Sequence, residues 1–486
     1  MRRGIRLFEV PVRHIGLRVA ELGQKNVGLV GLGVMGQNLA LNFLNHGYSV
    51  AVYNRTEQKT KQFVTRHPEV LGTYSIPDFI ESLESPRKIF LMLTAGTAVD
   101  ATLASFSNLL SKGDVIMDGG NSFFQDTERR CSELAMQGIH YLGVGVSGGE
   151  EGALKGPCIM PGGPTEGYGQ VSQMLIRIAA QVDGPCCQLL GPRGAGHYVK
   201  MVHNGIEYAI MQIIAEAYDL LIRFAGLSVE QVQRVFSEWN NGELNSFLMQ
   251  IGAEVLNKVD GETKHPLVSL ILDRAKQKGT GKWTSQSALD LGIPTPTIDV
   301  AVAARNLSSL KDERVSASKV LKVLKTAKSA PGNFVERLEG AVRASIIVSY
   351  TQGFHLMRGA SETYQYGIPF AEVARIWKGG CIIRAKLLDS INRAFKAKSG
   401  LQNLMLDSEI SGVLMSLEGR WRDTVKLAKD AYVPVPAIAA SLDYYDGYRS
   451  ERSPANLIQA LRDRFGAHGY ERIDKPGEFH SDWSTS

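Results

Sequence analysis

The chain has 486 residues, 44% of them hydrophobic and 21% charged, with a formal net charge of +5. That length supports two or three domains around a large core, and no uncharged apolar run is long enough to predict a membrane span. The basic excess is too small to indicate nucleic acid by itself, but it suits an anionic small substrate or cofactor. Five cysteines (Cys131, Cys158, Cys186, Cys187 and Cys381) show neither CxxC nor Cys/His ligand spacing. They predict reduced thiols in a cytoplasmic protein and no metal site. The adjacent pair Cys186-Cys187 reads as two strand residues rather than a redox pair.

Residues 1–25 differ in composition from the rest of the chain. They hold five arginines, Arg2 to Arg18, against Glu9 among them as the acid. Such a leader suits either an organelle-targeting segment or a dispensable extension. It lacks the serines and cleavage signal expected of the former, so an extension is the expectation.

From Asn26 the pattern is α/β. The apolar run NVGLV leads into GLGVMG and then a helical pattern, QNLALNFLNHG. Gly31, Gly33 and Gly36 give G-x-G-x-x-G between strand and helix, the arrangement that lets a backbone approach a pyrophosphate at a helix N-terminus. The second strand, YSVAVYN, ends in Asn54-Arg55-Thr56 where an NAD site would carry an acid. An arginine there favours the 2′-phosphate of NADP; a solvated turn arginine is the alternative. KIFLMLTAG, DVIMDGGNS and IHYLGVGVSGG then each run from an apolar strand into small or polar residues. Ligands of open α/β sheets bind beyond the carboxyl ends of strands. Thr94, Asn121 and Ser147-Gly148-Gly149 are therefore expected at one crevice. These units predict a Rossmann-like domain over 26–195.

Beyond Cys187 the periodicity becomes helical, and a large all-α domain is expected over 196–450. GLSVEQVQRVF from Gly226 recurs as GIPFAEVARIW from Gly367, an offset of 367 − 226 = 141. This predicts an internal duplication. The repeat acts as a control on KMVHNGIEY, Lys200 to Tyr208. At the matching positions of the second copy, Lys200, His203, Asn204, Glu207 and Tyr208 become Ala341, Ala344, Ser345, Val348 and Ser349. The architecture does not require the polar set, although its i, i+3, i+4, i+7, i+8 spacing puts it on one helix face. Burying Lys and Glu costs several kcal/mol unless they are paired or used. A structural salt bridge and a ligand-lining face are both open readings.

GLGVMGQNLALN, YNRT, DGGNS, GVSGGEEGA, MPGG, GAGHYVKMVHNGIEY, KGTGKWT, SSLKDER and FGAH occur in this order. Together they resemble the decarboxylating 6-phosphogluconate dehydrogenases from Asn26 to about Trp483. The resemblance implies NADP as cofactor, held by Gly31, Gly33, Val34, Met35, Gly36, Asn54, Arg55, Thr56, Leu93, Thr94, Ala95 and Asn121. It implies Lys200 as general base and Glu207 as general acid. Asn121, Ser147, Gly148, Gly149, His203 and Asn204 would hold the sugar acid. Tyr208, Lys278 and Arg305 would grip its phosphate, with Arg462 and His468 supplied by the partner's C-terminal tail, 451–486, in a homodimer. No metal, nucleic acid or membrane is implied. GTGKWT lacks Walker A spacing, so no ATP site is expected. Two departures from the family pattern stand out: Ala209-Ile210 after the tyrosine, and Asn306 in the arginine helix. The implied reaction converts 6-phosphogluconate to ribulose 5-phosphate and CO2. The alternatives are a smaller 3-hydroxy acid dehydrogenase and a non-catalytic NADPH- or RNA-binding protein.

Overall fold

The computed structural model describes residues 24–322 and 329–484, so the expected extension lies outside the described residues except for Gln24 and Lys25. Seven strands form the first sheet: β1 (Val27–Val30), β2 (Val50–Tyr53), β3 (Leu71–Thr73), β4 (Lys88–Leu91), β5 (Val115–Asp118), β6 (His140–Ser147) and β7 (Cys158–Gly162). Their order is β3-β2-β1-β4-β5-β6-β7. Adjacent strands are parallel except for the antiparallel pair β6–β7. Helices α1 (Val34–Asn45), α2 (Glu57–Arg66), α3 (Ile76–Glu81), α4 (Thr97–Ser105), α5 (Phe124–Ala135), α6 (Gly149–Lys155) and α7 (Thr165–Ile178) connect the strands. β1 and β5 are buried throughout, as a sheet covered on both faces requires. The chain runs outward from β1 to β3, then returns to β4 on β1's other side. The crevice at a topological switch point therefore opens beside Gly31.

β3 and β7 escape the sequence pattern. β3 has three residues, and β7 reads CIMPG with a proline and a glycine. Cys187 pairs with β7 through one isolated bridge to Ile159, and the Cys186 carbonyl accepts a hydrogen bond from the Ile159 N–H. The two cysteines thus flank the sheet rather than lie in a regular strand. All five cysteines are free.

The helical part comprises α8 (Ala195–Arg223), α9 (Val229–Asn240), α10 (Phe247–Leu256), α11 (Thr280–Asp290), α12 (Pro296–Ser309), α13 (Lys311–Val320), α14 (Phe334–Thr363), α15 (Phe370–Ile376), α16 (Leu387–Ala397), α17 (Ser408–Asp430), α18 (Pro436–Tyr448) and α19 (Ala455–Gly466). A short hairpin, β8 (Tyr470–Glu471) and β9 (Glu478–Phe479), completes the chain's C-terminal part. Two long helices, α8 and α14, pack together at the centre of the main core. The repeated motif begins just after each, with Gly226 and Gly367 at φ of 70° and 63°. A side chain is strained in that left-handed conformation, so both copies need glycine there.

The duplication extends further than the motif. IPTPTI (293–298) and VPVPAI (433–438) open α12 and α18, each with proline in the first turn. Their offset, 436 − 296 = 140, differs by one from that of the first motif. Each start is capped by the long helix of the other repeat. Gln352 Oε1 accepts from Thr297 N at 3.0 Å. The Glu216 carboxylate accepts from Ala437 N at 2.8 Å and Ile438 N at 3.0 Å. Crossed capping of this kind satisfies otherwise orphaned helix N–H groups and locks the two copies together.

The docking of α8 on the sheet positions everything chemical. A Cβ on Gly196 would lie 2.4 Å from Gly143 O and 2.5 Å from Gly162 N. One on Gly145 would lie 2.5 Å from Lys200 Cβ. Glycines let the helix rest directly on the β6 and β7 backbone, beside the strand ends. Among the described residues no helix is long and apolar enough to cross a membrane.

Candidate active site

The cofactor crevice is built on steric grounds. Gly31 has φ of 102°, and a Cβ there would lie 2.4 Å from Met92 O. A Cβ on Gly36 would lie 1.9 Å from Gly31 O, so helix and turn close only over glycine. Gly33 is different, because an added Cβ would meet no protein atom within 4 Å. The space beside it, at the N-terminus of α1, is open for a ligand. No side chain caps that helix. These features fit a dinucleotide pyrophosphate. Val34 and Met35 begin α1 at the same edge.

Asn54 takes a structural part in this crevice. Its Oδ1 accepts from Leu32 N at 3.0 Å and its Nδ2 donates to Thr56 O at 3.1 Å. It ties the glycine turn to the end of β2. Arg55 is exposed beside it, and Thr56 is the N-cap of α2, its side chain making no capping bond. A cation and a free hydroxyl at a helix start suit a 2′-phosphate. Leu93, Thr94 and Ala95 follow β4 after Met92, with Leu93 Cδ2 near Gly31 and Leu93 O near Gly120. Asn121 is exposed after β5. The cofactor set therefore converges on neighbouring strand ends.

Across the crevice stands α8. Lys200 is 6% exposed. Among the described residues its amine has no hydrogen bond and no ion pair. Burial holds its pKa below the usual lysine range, opposed by the Glu207 carboxylate. Glu207 is 23% exposed and lies 3.9 Å from His203 Nδ1. The structural salt bridge between Lys200 and Glu207, left open by the sequence, is absent. His203 is fully buried. Its Nδ1 lies 2.9 Å from Asn204 Oδ1, while Nε2 lies 3.1 Å from Ser147 Oγ and 2.9 Å from Cys381 Sγ. Ser147, Asn204 and Cys381 thus hold the imidazole from both ring nitrogens. Gly148 and Gly149 sit beyond Ser147, and a Cβ on Gly148 would lie 2.8 Å from Gly380 O.

One turn along, Tyr208 marks a second subsite. The Arg305 guanidinium carbon lies 3.5 Å from its ring centre. A Cβ on Gly281 would lie 2.5 Å from the same ring, so the start of α11 packs on Tyr208. Lys278 is exposed just ahead of that helix. Arg462 and His468 belong to the tail and keep local partners: Arg462 bonds Gln459 Oε1, and His468 packs on Phe465.

The family of the C-terminal domain of 6-phosphogluconate dehydrogenase matches residues 196–483, and that of its NAD-binding domain matches 26–191. The chain belongs to the 6-phosphogluconate dehydrogenase family. It is 52% identical over 467 residues to the NADP(+)-dependent, decarboxylating 6-phosphogluconate dehydrogenase of Bacillus subtilis, covering 95% of this chain and all of that one. The Escherichia coli 6-phosphogluconate dehydrogenase is 49% identical over the same shares of each chain. Among solved structures, the Plasmodium falciparum 6-phosphogluconate dehydrogenase, described in apo form and in complex with NADP+ or 6-phosphogluconate, superposes with a TM-score of 0.91 at 41% identity. That match covers 94% of this chain and all of the other.

Within this 6-phosphogluconate dehydrogenase fold, two features escape the motifs. Cys381 lies against the His203 imidazole although 178 residues separate them. The neighbouring Ile382 N–H donates to Ser147 Oγ at 3.4 Å. A Gly-Gly-Cys step one residue after the second repeat motif was the available signal. The departures also find places. Ala209 and Ile210 are buried in the helical core. Asn306 Oδ1 accepts from Gln277 Nε2 at 2.7 Å, which ties α12 to the segment carrying Lys278.

Proposed function

We propose that the chain oxidises and decarboxylates 6-phospho-D-gluconate to D-ribulose 5-phosphate and CO2, with NADP+ reduced to NADPH. The carrying observation is the largely buried Lys200 beside the β6 strand end, its amine in no hydrogen bond or ion pair among the described residues, on one helix face with Glu207. A lysine whose ammonium is disfavoured by burial is suited to accept a proton. Lys200 takes the proton of the 3-hydroxyl. NADP+, when bound, supplies the hydride acceptor for C3. The resulting β-keto acid loses CO2 by delocalising electrons into its own carbonyl, and Lys200, now an ammonium, stabilises the enediol oxygen. Glu207 then gives a proton to the former C2, which becomes C1 of ribulose 5-phosphate. No metal is required for any of these steps.

Ser147, Gly148, Gly149, Asn121, His203 and Asn204 hold the sugar acid in this reading. Tyr208, Lys278 and Arg305 form the phosphate end. Arg462 and His468 of a partner's tail complete it in a homodimer. The outward face of α19 supports that arrangement: Leu457, Ile458, Leu461 and Phe465 are 62%, 60%, 54% and 74% exposed. Apolar exposure of this extent on one helix suits a protein partner. We assign the units as 26–195, 196–450 and the tail 451–486, and the protein to the cytoplasm.

The test is NADPH formation from 6-phosphogluconate with NADP+ and NAD+ side by side, and with unphosphorylated gluconate as the control. Turnover strongly favouring NADP+ and the phosphorylated acid supports the proposal. Equal turnover of gluconate would point to a smaller-substrate dehydrogenase instead.

A further inference from the structure

Arg130, on α5, has a fully buried side chain. Its Nε donates to Asp100 Oδ1 at 2.8 Å and its Nη2 to Gly96 O at 3.1 Å. Its Nη1 lies 3.7 Å from Asp118 Oδ2, an ion-pair contact in which this buried nitrogen makes no hydrogen bond among the described residues. Asp118 ends β5 and is itself buried. Its carboxylate accepts from Gly120 N at 3.0 Å, Ser122 Oγ at 2.6 Å and Tyr141 OH at 2.8 Å. Its backbone oxygen accepts from His197 Nε2 at 2.9 Å. His197 Nδ1 lies 2.7 Å from Thr127 Oγ1. Because Nε2 faces a carbonyl, it carries the proton, and Nδ1 accepts from the threonine.

The network joins three pieces of the site. Gly96 closes the loop of Leu93, Thr94 and Ala95. Gly120 and Ser122 flank Asn121. His197 stands three residues before Lys200 on α8, so its hydrogen bond anchors the turn that carries the amine. Little slack exists, since a Cβ on Gly143 would lie 2.7 Å from Thr127 Cγ2 and 2.8 Å from His197 Nδ1. A buried charged group is poorly explained by stability, because a well-packed apolar residue of similar volume is often as stable. None of these side chains has a part in the proton steps.

We propose that Arg130 is a positioning residue that, through Asp118 and His197, sets the spacing between the 93–96 loop and the Lys200 turn of α8. Hydride transfer is sensitive to that spacing, since reacting atoms must meet at about 3–3.5 Å. The proposal rests on the reading of Lys200 as the base.

The experiment compares Arg130→Met and Arg130→Lys with wild type in the full-length protein. Expected for Arg130→Met is a folded protein whose NADP+ dissociation constant, by calorimetry, rises about tenfold, with kcat/KM falling further. The primary deuterium isotope effect on kcat/KM with 3-deuterated substrate should rise, because hydride transfer becomes more limiting. Lysine should not rescue, since a single ammonium cannot span Asp100, Gly96 and Asp118. Should Arg130→Met fail to fold, Asp100→Asn removes the network's outer carboxylate, which is 38% exposed, and should move the same readouts less far. Wild-type affinity and isotope effect in a folded variant overturn the proposal. Lys200→Met belongs in the same series. If it turned over normally, the base assignment would fail independently of the Arg130 result.

Discussion

The Arg305 guanidinium stacks on the face of Tyr208, its central carbon 3.5 Å from the ring centre. Stacking holds a planar cation while leaving its edge N–H groups free for a bidentate anion. Arg305→Lys keeps the charge but loses the plane. The KM for 6-phosphogluconate should rise about tenfold, equivalent to about 1.4 kcal/mol, while the NADP+ dissociation constant stays put. Steady-state kinetics and a cofactor titration check both halves.

Lys200 trades stability for chemistry. Its folded pKa lies below the ordinary lysine value of 10.5, so the unfolded chain binds more protons and stability rises with pH across the interval between the two values. Lys200→Met should lower hydride transfer by roughly 10²–10⁴-fold yet raise Tm at neutral pH. That Tm advantage should shrink as pH approaches 10.5. A lower Tm for the variant at neutral pH would contradict the burial cost assigned to the amine.

Glu216 makes the opposite pH prediction. Burial pushes its carboxyl from 4.5 up to about 7, against the pull of the Ile438 and Ala437 N–H groups and Gln212. An acid with a raised folded pKa binds its proton more tightly when folded. Its contribution is therefore present below pH 4.5 and declines as pH rises to about 7, by at most ~3 kcal/mol. Denaturant unfolding of Glu216→Gln, which carries no titrating proton there, should show a flatter slope across that window than wild type.

The glycines of the first turn should separate fold from ligand. Gly36→Ala places a methyl 1.9 Å from Gly31 O and should destabilise the chain by roughly 1–3 kcal/mol or more. Gly33→Ala meets no protein atom, so Tm should hold while NADP+ affinity falls. Calorimetry on both variants tests the contrast, and unchanged NADP+ affinity in Gly33→Ala would remove the pyrophosphate from this turn.

Asp463 knots the tail. Its carboxylate accepts from Gly469 N, His480 Nδ1, Ser481 N and Trp483 Nε1 at 2.7–3.1 Å. It sits beside Arg462 in sequence. An amide cannot accept at both atoms, so Asp463→Asn should loosen residues 467–484. Limited proteolysis of the tail should speed up, and the KM for 6-phosphogluconate should rise with NADP+ affinity unchanged.

Features encoded by neighbouring residues were legible in the chain alone. GLGVMG between an apolar run and a helical pattern specified the dinucleotide turn, because strand end, glycine spacing and helix start all lie in one short stretch of chain. The 3.6-residue spacing put Lys200, His203, Asn204, Glu207 and Tyr208 on one face, and the Gly226 and Gly367 motifs disclosed the duplication. Short β3 and proline-bearing β7 carried too little pattern to be read. Features that depend on docking emerged only on folding. Packing seats α8 on glycines of β6 and β7, buries Lys200 with its amine in no hydrogen bond or ion pair among the described residues, and brings Cys381 to His203. It also crosses Glu216 and Gln352 between the repeats, and hangs the 93–96 loop, the Asn121 loop and the Lys200 turn on Arg130. Periodicity fixes which way a side chain faces along its own element. Which distant backbone it then meets is settled only when the elements pack.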